Sequence, residues 1–140
     1  MDISKFTIKT QEAIQQAQQI VLENGQQQLE TAHLLKGIMR SDEHIIPFLL
    51  SKLNINKVVV QQVLDKMIDA FPKVSGGNIT VSNDAGLALT KAQVFLKEFS
   101  DEFVTIELLL LAIVDGKDKT AQMLKDSGVR VKDLKKECNL

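Results

Sequence analysis

Apolar residues recur at three- and four-residue steps along nearly the whole chain. Ala13, Ile14, Ala17, Ile20 and Val21 form one such series, Ile45, Ile46, Leu49, Leu50 and Leu53 a second, and Val60, Val63, Leu64, Met67, Ile68 and Phe71 a third. This spacing gathers them on one stripe of an α-helix. No segment alternates convincingly as a strand, so the pattern predicts an all-α fold of about eight short helices. Thr7, Thr31, Ser82 and Thr105 precede such stripes, and their side-chain oxygens can accept a free amide of a first helical turn. Asn24 with Gly25, Gly116 and Gly128 are the matching stop signals.

The stripes come in two copies. Pairing residue n with n+75 sets Ala13 beside Ala88, Ala17 beside Ala92, Gln18 beside Gln93 and Glu23 beside Glu98. A one-residue loop difference then makes the offset 74, which sets Thr31 beside Thr105, Leu34 beside Leu108, Leu35 beside Leu109 and Leu50 beside Leu124. At the end of the third helix of each copy stand Asn54 and Gly128, the residue types that best tolerate a left-handed helix-closing conformation. Apolar Ile55 and Val129 follow, where such a cap takes a hydrophobic contact. The repeat predicts two four-helix units related by a pseudo-twofold rotation and sharing one core. Between them lies Phe71-Pro72-Lys73-Val74-Ser75-Gly76-Gly77-Asn78, whose proline and paired glycines read as a flexible connector.

At 140 residues, such a chain can bury a core without disulfides or metal. Its 17 basic and 18 acidic side chains divide evenly, 7 and 8 in residues 1–70 and 10 and 10 in residues 71–140. Neither half has the excess of positive charge that nucleic acid rewards, so no nucleic-acid partner is expected. The longest apolar run, residues 108–114, falls far short of the roughly 18 needed to cross a bilayer, and the start lacks a secretory signal. With the lone Cys138, this points to a cytoplasmic protein without a membrane partner.

Candidate chemistry is sparse. His33 and His44 stand eleven apart, without the spacing that puts two imidazoles on one helical face, and read as ordinary surface or packing histidines. Cys138 has Lys135 and Lys136 nearby and reads as part of a solvated terminal turn. Gly76-Gly77 does not begin a phosphate loop, and no serine sits in G-x-S-x-G. A small hydrolase or metalloenzyme therefore lacks its nucleophile, base and ligand spacings. Residues 108–114 are apolar all round, as a buried helix is, whereas the first copy's Leu34-Leu35-Lys36-Gly37-Ile38-Met39 is amphipathic. Gln26-Gln27-Gln28 reads as a loop. The fifth helix carries a surplus: Ala88, Ala92, Phe95, Leu96 and Phe99 make one face, and Leu89, Val94 and Phe103 extend it. Two readings stand, a partly exposed binding groove or packing between the units.

Phe6-Thr7, the A-x-x-x-A of the first helix, Thr31-Ala32-His33-Leu34-Leu35, the Phe-Pro-x-Val-x-Gly-Gly connector and Thr105-Ile106-Glu107-Leu108 together resemble the Clp N-terminal domain family over almost the full chain. The connector is most similar to that of the ClpB-type disaggregases. The resemblance implies one domain over 1–140, with a first repeat to about residue 70, a connector at 71–80 and a second repeat from about 81. It implies a non-enzymatic, monomeric front part of a hexameric chaperone ring, with ATP and magnesium held by separate ATPase modules and no cofactor here. Its partners would be unfolded or aggregated polypeptides, with a cooperating chaperone system engaged through other domains of the ring. The matched groove falls on apolar Leu89, Phe95 and Leu108, with Thr7, Asp101 and Glu107 as a polar rim, and Lys91 stands where relatives are often apolar. Relatives of the ClpA and ClpC types, which serve proteases, dock adaptors or degrons with the same domain, and this is the alternative. Ala32 and Ile106 occupy the positions of the acidic residue with which ClpC-type domains receive phosphoarginine, and neither can pair with a guanidinium, which favours the disaggregase reading.

Overall fold

The computed structural model describes residues 3–74 and 76–138, which leaves Ser75 of the connector outside. After a 3-10 turn at Ile3–Lys5 come α1 (Ile8–Glu23), β1 (Gln28–Leu29), α2 (Thr31–Ser41), α3 (Ile45–Lys52) and α4 (Lys57–Asp69). Then follow β2 (Thr80–Val81), α5 (Asn83–Phe99), α6 (Ile106–Val114), α7 (Lys119–Asp126) and α8 (Val131–Cys138).

The repeat predicted from the sequence is visible bond by bond. Thr7 accepts the Thr10 amide at 3.1 Å to start α1, and Ser82 accepts the Ala85 amide at 3.0 Å to start α5, each pair 75 residues from its mate. Asn54 and Gly128 both take positive φ, 60° and 109°. Behind them the Ile55 amide donates to the Leu50 carbonyl at 2.8 Å and the Val129 amide to the Leu124 carbonyl at 2.9 Å. Ile55 and Val129 are buried, and the Ile55 Cδ1 abuts Gly128, so the two caps meet.

The short extended segments interlock the units. Leu29 pairs with Val81 and Phe6 with Val104, both parallel, and a 75-residue shift converts one pairing into the other. The Thr7 amide donates to the Val104 carbonyl and the Ser82 amide to the Leu29 carbonyl, at 3.1 and 3.0 Å. Each unit's first helix is thus tied to the strand that precedes the other unit's second helix. Two-residue strands are too short to show alternation, which is why the sequence hides them. The connector is also held, since the Val74 amide donates to the Gly25 carbonyl at 2.9 Å before the chain enters β2.

α6 is buried around its whole circumference and touches α1, α2, α3, α5, α7 and α8. Its counterpart α2 keeps one polar seam, where Lys36 pairs with Asp65 at 2.7 Å and Arg40 with Glu23 at 2.9 Å. Gly37 lets α2 lie against the α1 backbone, because a Cβ there would run into the Ala13 carbonyl and come within 2.9 Å of the Ala17 amide. The mate of Gly37 is Leu111, and α5 and α6 pack less intimately.

Thr31 does not cap α2. Glu30 holds that place, and its amide donates to His33 Nδ1 at 2.9 Å. Thr31 is buried, and its hydroxyl donates to Asp118 Oδ2 at 2.7 Å at the start of α7, a tertiary bond that no local signal announces. Gln26 is not loop filler either. It is buried, joined to His33 Nε2 at 2.7 Å and donating to the Ile68 carbonyl at 2.6 Å, so it ties α2 to the end of α4.

Candidate polypeptide-binding surface

Leu89, Phe95 and Leu108, expected as the apolar walls of a groove, are core residues. They are 3%, 2% and 2% exposed. Phe95 is covered by α8, which packs back on α6 and lays the Lys135 stem across the ring, its Nζ 5.5 Å from the ring centroid and 2.9 Å from Glu98. Lys91 covers the ring from another side at 5.9 Å, its own charge held by Asp115 at 3.1 Å. Long lysine stems shield apolar surface while their heads stay in water. Phe99 completes the enclosure edge-on at 6.1 Å. Of the two readings of the fifth helix, packing holds for these residues, and only Val94 and Phe103 of the extension are exposed.

The three polar positions lie at one end of the molecule. Thr7 is half-buried and its hydroxyl is committed: Thr10 Oγ1 donates to the Val104 carbonyl at 2.9 Å, so the 2.7 Å contact between the two hydroxyls has Thr7 as donor. Each hydroxyl has one proton to give. Asp101 is exposed, just past Ser100, whose left-handed φ of 55° closes α5. Glu107 is half-buried in the first turn of α6, and its carbonyl lies 3.9 Å from Cys138 Sγ. Burial first, then the carboxylates of Glu107, Asp101 and Glu137, pushes the Cys138 thiol up to about 12. Cys138 is therefore packed against the core with an acidic group around it, where the sequence suggested a solvated terminal turn.

A wide shallow cleft of about 790 Å³ is lined by Ser4, Lys5, Leu96, Lys97, Ser100, Asp101, Glu102 and Phe103, the last 47% exposed. Its charges are mixed, two lysines against two carboxylates. Ile3 and Ile8, near the chain start that supplies Ser4 and Lys5, are 52% and 76% exposed. Ile3 and Ile8 escaped the sequence reading because neither belongs to a helical stripe; Ile8 is the first residue of α1, beyond its cap. No group of three His, Cys, Asp or Glu side chains with metal-holding geometry occurs among the described residues. His33 is buried in its hydrogen-bonded place, and His44 is exposed.

Residues 5–127 match the model of the Clp repeat (R) N-terminal domain. The chain belongs to the Clp N-terminal domain family. This Clp N-terminal domain is 42% identical over 139 residues to the chaperone protein ClpB of Bacteroides thetaiotaomicron, covering 99% of this chain and 16% of that protein. It is 37% identical over 128 residues to ClpB of Porphyromonas gingivalis, covering 91% and 15%. It thus spans about a sixth of the length of these relatives. In fold it is similar to the Hsp104 N-terminal domain from Candida albicans, with a TM-score of 0.83 at 20% identity, covering 95% of this chain and 88% of that one. The N-terminal domain of ClpD from Arabidopsis thaliana matches with a TM-score of 0.73 at 19% identity, covering 96% and 92%. No helix among the described residues of this Clp N-terminal domain is long and apolar enough to cross a membrane.

Proposed function

We propose that this domain receives apolar segments of unfolded or aggregated polypeptides for a ClpB-type disaggregase. The observation that carries the reading is the exposure of Phe103 on the lining of the open cleft beside Asp101, with Ile3 and Ile8 also exposed near the start of the chain, whose Ser4 and Lys5 line the same cleft. Unfolded chains present scattered apolar side chains, and a shallow surface with a few apolar contacts accepts many of them without demanding one sequence. Such binding is weak and exchanges fast, which suits a domain that hands its client onward. Mixed charge at the rim leaves no strong preference for the sign of the client. In this reading Asp101 and Glu107 stay as the polar border, Thr7 holds the start of α1 in place, and Leu89, Phe95 and Leu108 support the surface from below. ATP and magnesium belong to other modules of the parent ring, which works in the cytoplasm.

An NMR titration of the ¹⁵N-labelled domain with a reduced, carboxymethylated model protein tests this. The amides of Ile8, Asp101 and Phe103 should shift most, and added salt should leave most of the affinity, since apolar area outweighs charge. Phe103→Ser and Ile8→Ser should weaken binding several-fold with little change in Tm, because Ile8 is largely solvated and Phe103 about half so. Shifts confined to another face, or unchanged binding by both variants, would refute the assignment.

A further inference from the structure

The internal repeat provides its own control for surface composition. On α4, Val58, Val59 and Val63 are 59%, 47% and 38% exposed. Their mates on α8, 74 residues on, are exposed Lys132 and Asp133 and half-buried Glu137. On α3, exposed Ile45 and Phe48 have Lys119 and Gln122 as mates on α7. Two units with the same helices, caps and core therefore differ on this outer face, charged or polar in one and apolar in the other. The shared fold does not require apolar residues there, since the second unit forms without them.

We propose that the outer face of α4 docks an amphipathic helix of a partner protein whose apolar stripe is bordered by Asp and Glu side chains. Val59 and Val63 stand one turn apart and form a ridge of the i, i+4 kind that fits the groove of a facing helix. The charges around this ridge select the partner's sign. Lys57 opens α4, and Lys66 follows Val63 by three residues, and neither is ion-paired among the described residues. Lys52, just before the α3–α4 turn, lies over Phe48 at 5.6 Å. The carboxylates of α4 are already engaged, Asp65 by Lys36 at 2.7 Å and Asp69 by Lys73 at 3.6 Å. The first turn of α4 contains no acidic residue, and Asn56 Oδ1 already accepts the Val58 and Val59 amides at 3.0 and 3.3 Å, so Lys57 is the charge that this end of α4 presents. What is left unbalanced is positive, at both ends of the valine ridge. A second copy of this chain fits poorly, because symmetric pairing sets Lys57 and Lys66 against like charges. This face is separate from the cleft of the proposed function and does not depend on that reading.

The probes are two synthetic helical peptides with leucines at i, i+4 spacing, one with glutamates on either side of the stripe and the other with lysines. In ¹⁵N titrations the glutamate peptide should shift the amides of Val58, Val59 and Val63 saturably, and the lysine peptide should bind at least about tenfold more weakly. Val59→Glu/Val63→Glu should abolish the shifts with Tm preserved, and Lys57→Glu/Lys66→Glu should reverse the preference between the peptides. If the glutamate pair unfolds the domain, Val59→Ser/Val63→Ser replaces it with the same expected loss. The proposal is overturned by equal binding of both peptides, by binding of neither, by shifts on α8, by unaltered binding in the valine variants, or by a concentration-dependent dimer that these variants disrupt.

Discussion

His33 makes the stability of this domain depend on pH, in a direction and amount that its surroundings define. Its Nδ1 accepts the Glu30 amide at 2.9 Å, so the neutral ring carries its proton on Nε2 and donates it to Gln26 Oε1 at 2.7 Å. A second proton would set a ring N–H against the Glu30 N–H inside a core where His33 is fully buried. Burial, and to a lesser degree the charge of Lys36, hold the imidazole down from 6.5 to about 4. The unfolded chain, with an ordinary imidazole, therefore binds the proton more readily, and folding stability rises with pH between these values. The contribution is fully present above about 6.5 and is lost progressively as pH falls toward 4. The whole gap corresponds to about 3 kcal/mol, of which about 2 kcal/mol is lost by pH 5. Carboxylates also titrate in this range, so the measurement is a difference. Urea unfolding of the parent and of His33→Gln, which keeps polar atoms but cannot titrate, gives two stability curves between pH 7.5 and 5. The advantage of the parent should shrink by about 2 kcal/mol over that interval. A constant difference would show that His33 takes up its proton without cost in the folded state, and the account of its burial would be wrong.

Phe95→Ser should destabilise the domain by about 3–5 kcal/mol, seen as a lower urea midpoint, because it empties a site enclosed by Phe99 and two lysine stems. A variant as stable as the parent would return Phe95 to an exposed groove. Cys138, with its thiol pushed up to about 12, should react with a disulfide reagent at pH 8 far more slowly in the folded domain than in urea. Equal rates would mean that the end of α8 does not pack as described.

Much of the fold was legible because it rests on local chemistry. Helical spacing, the caps at Thr7, Ser82 and Thr105, and the paired stops Asn54 and Gly128 each act within a turn or two of chain, so they can be read from neighbouring residues. The duplication made the two-unit architecture legible as well, since a repeat of local signals implies a repeat of structure. The interlock of Phe6 with Val104 and Leu29 with Val81 was not legible, for it depends on two residues meeting across the chain without a pattern of their own. The same holds for the cap of α2. Thr31 has the right chemistry for it, but Asp118 draws its hydroxyl into a bond between the units and His33 takes over beside Glu30.

The candidate surface divides along the same line. Sequence could count the apolar surplus of the fifth helix but could not say which residues another helix covers. The return of α8 over α6 buries Phe95 and leaves Phe103 exposed, and the same folding back turns Cys138 from a terminal thiol into a packed one. Exposure is a property of the assembled chain: an apolar side chain is core or surface according to what stands above it, and that element here lies about forty residues away in the sequence.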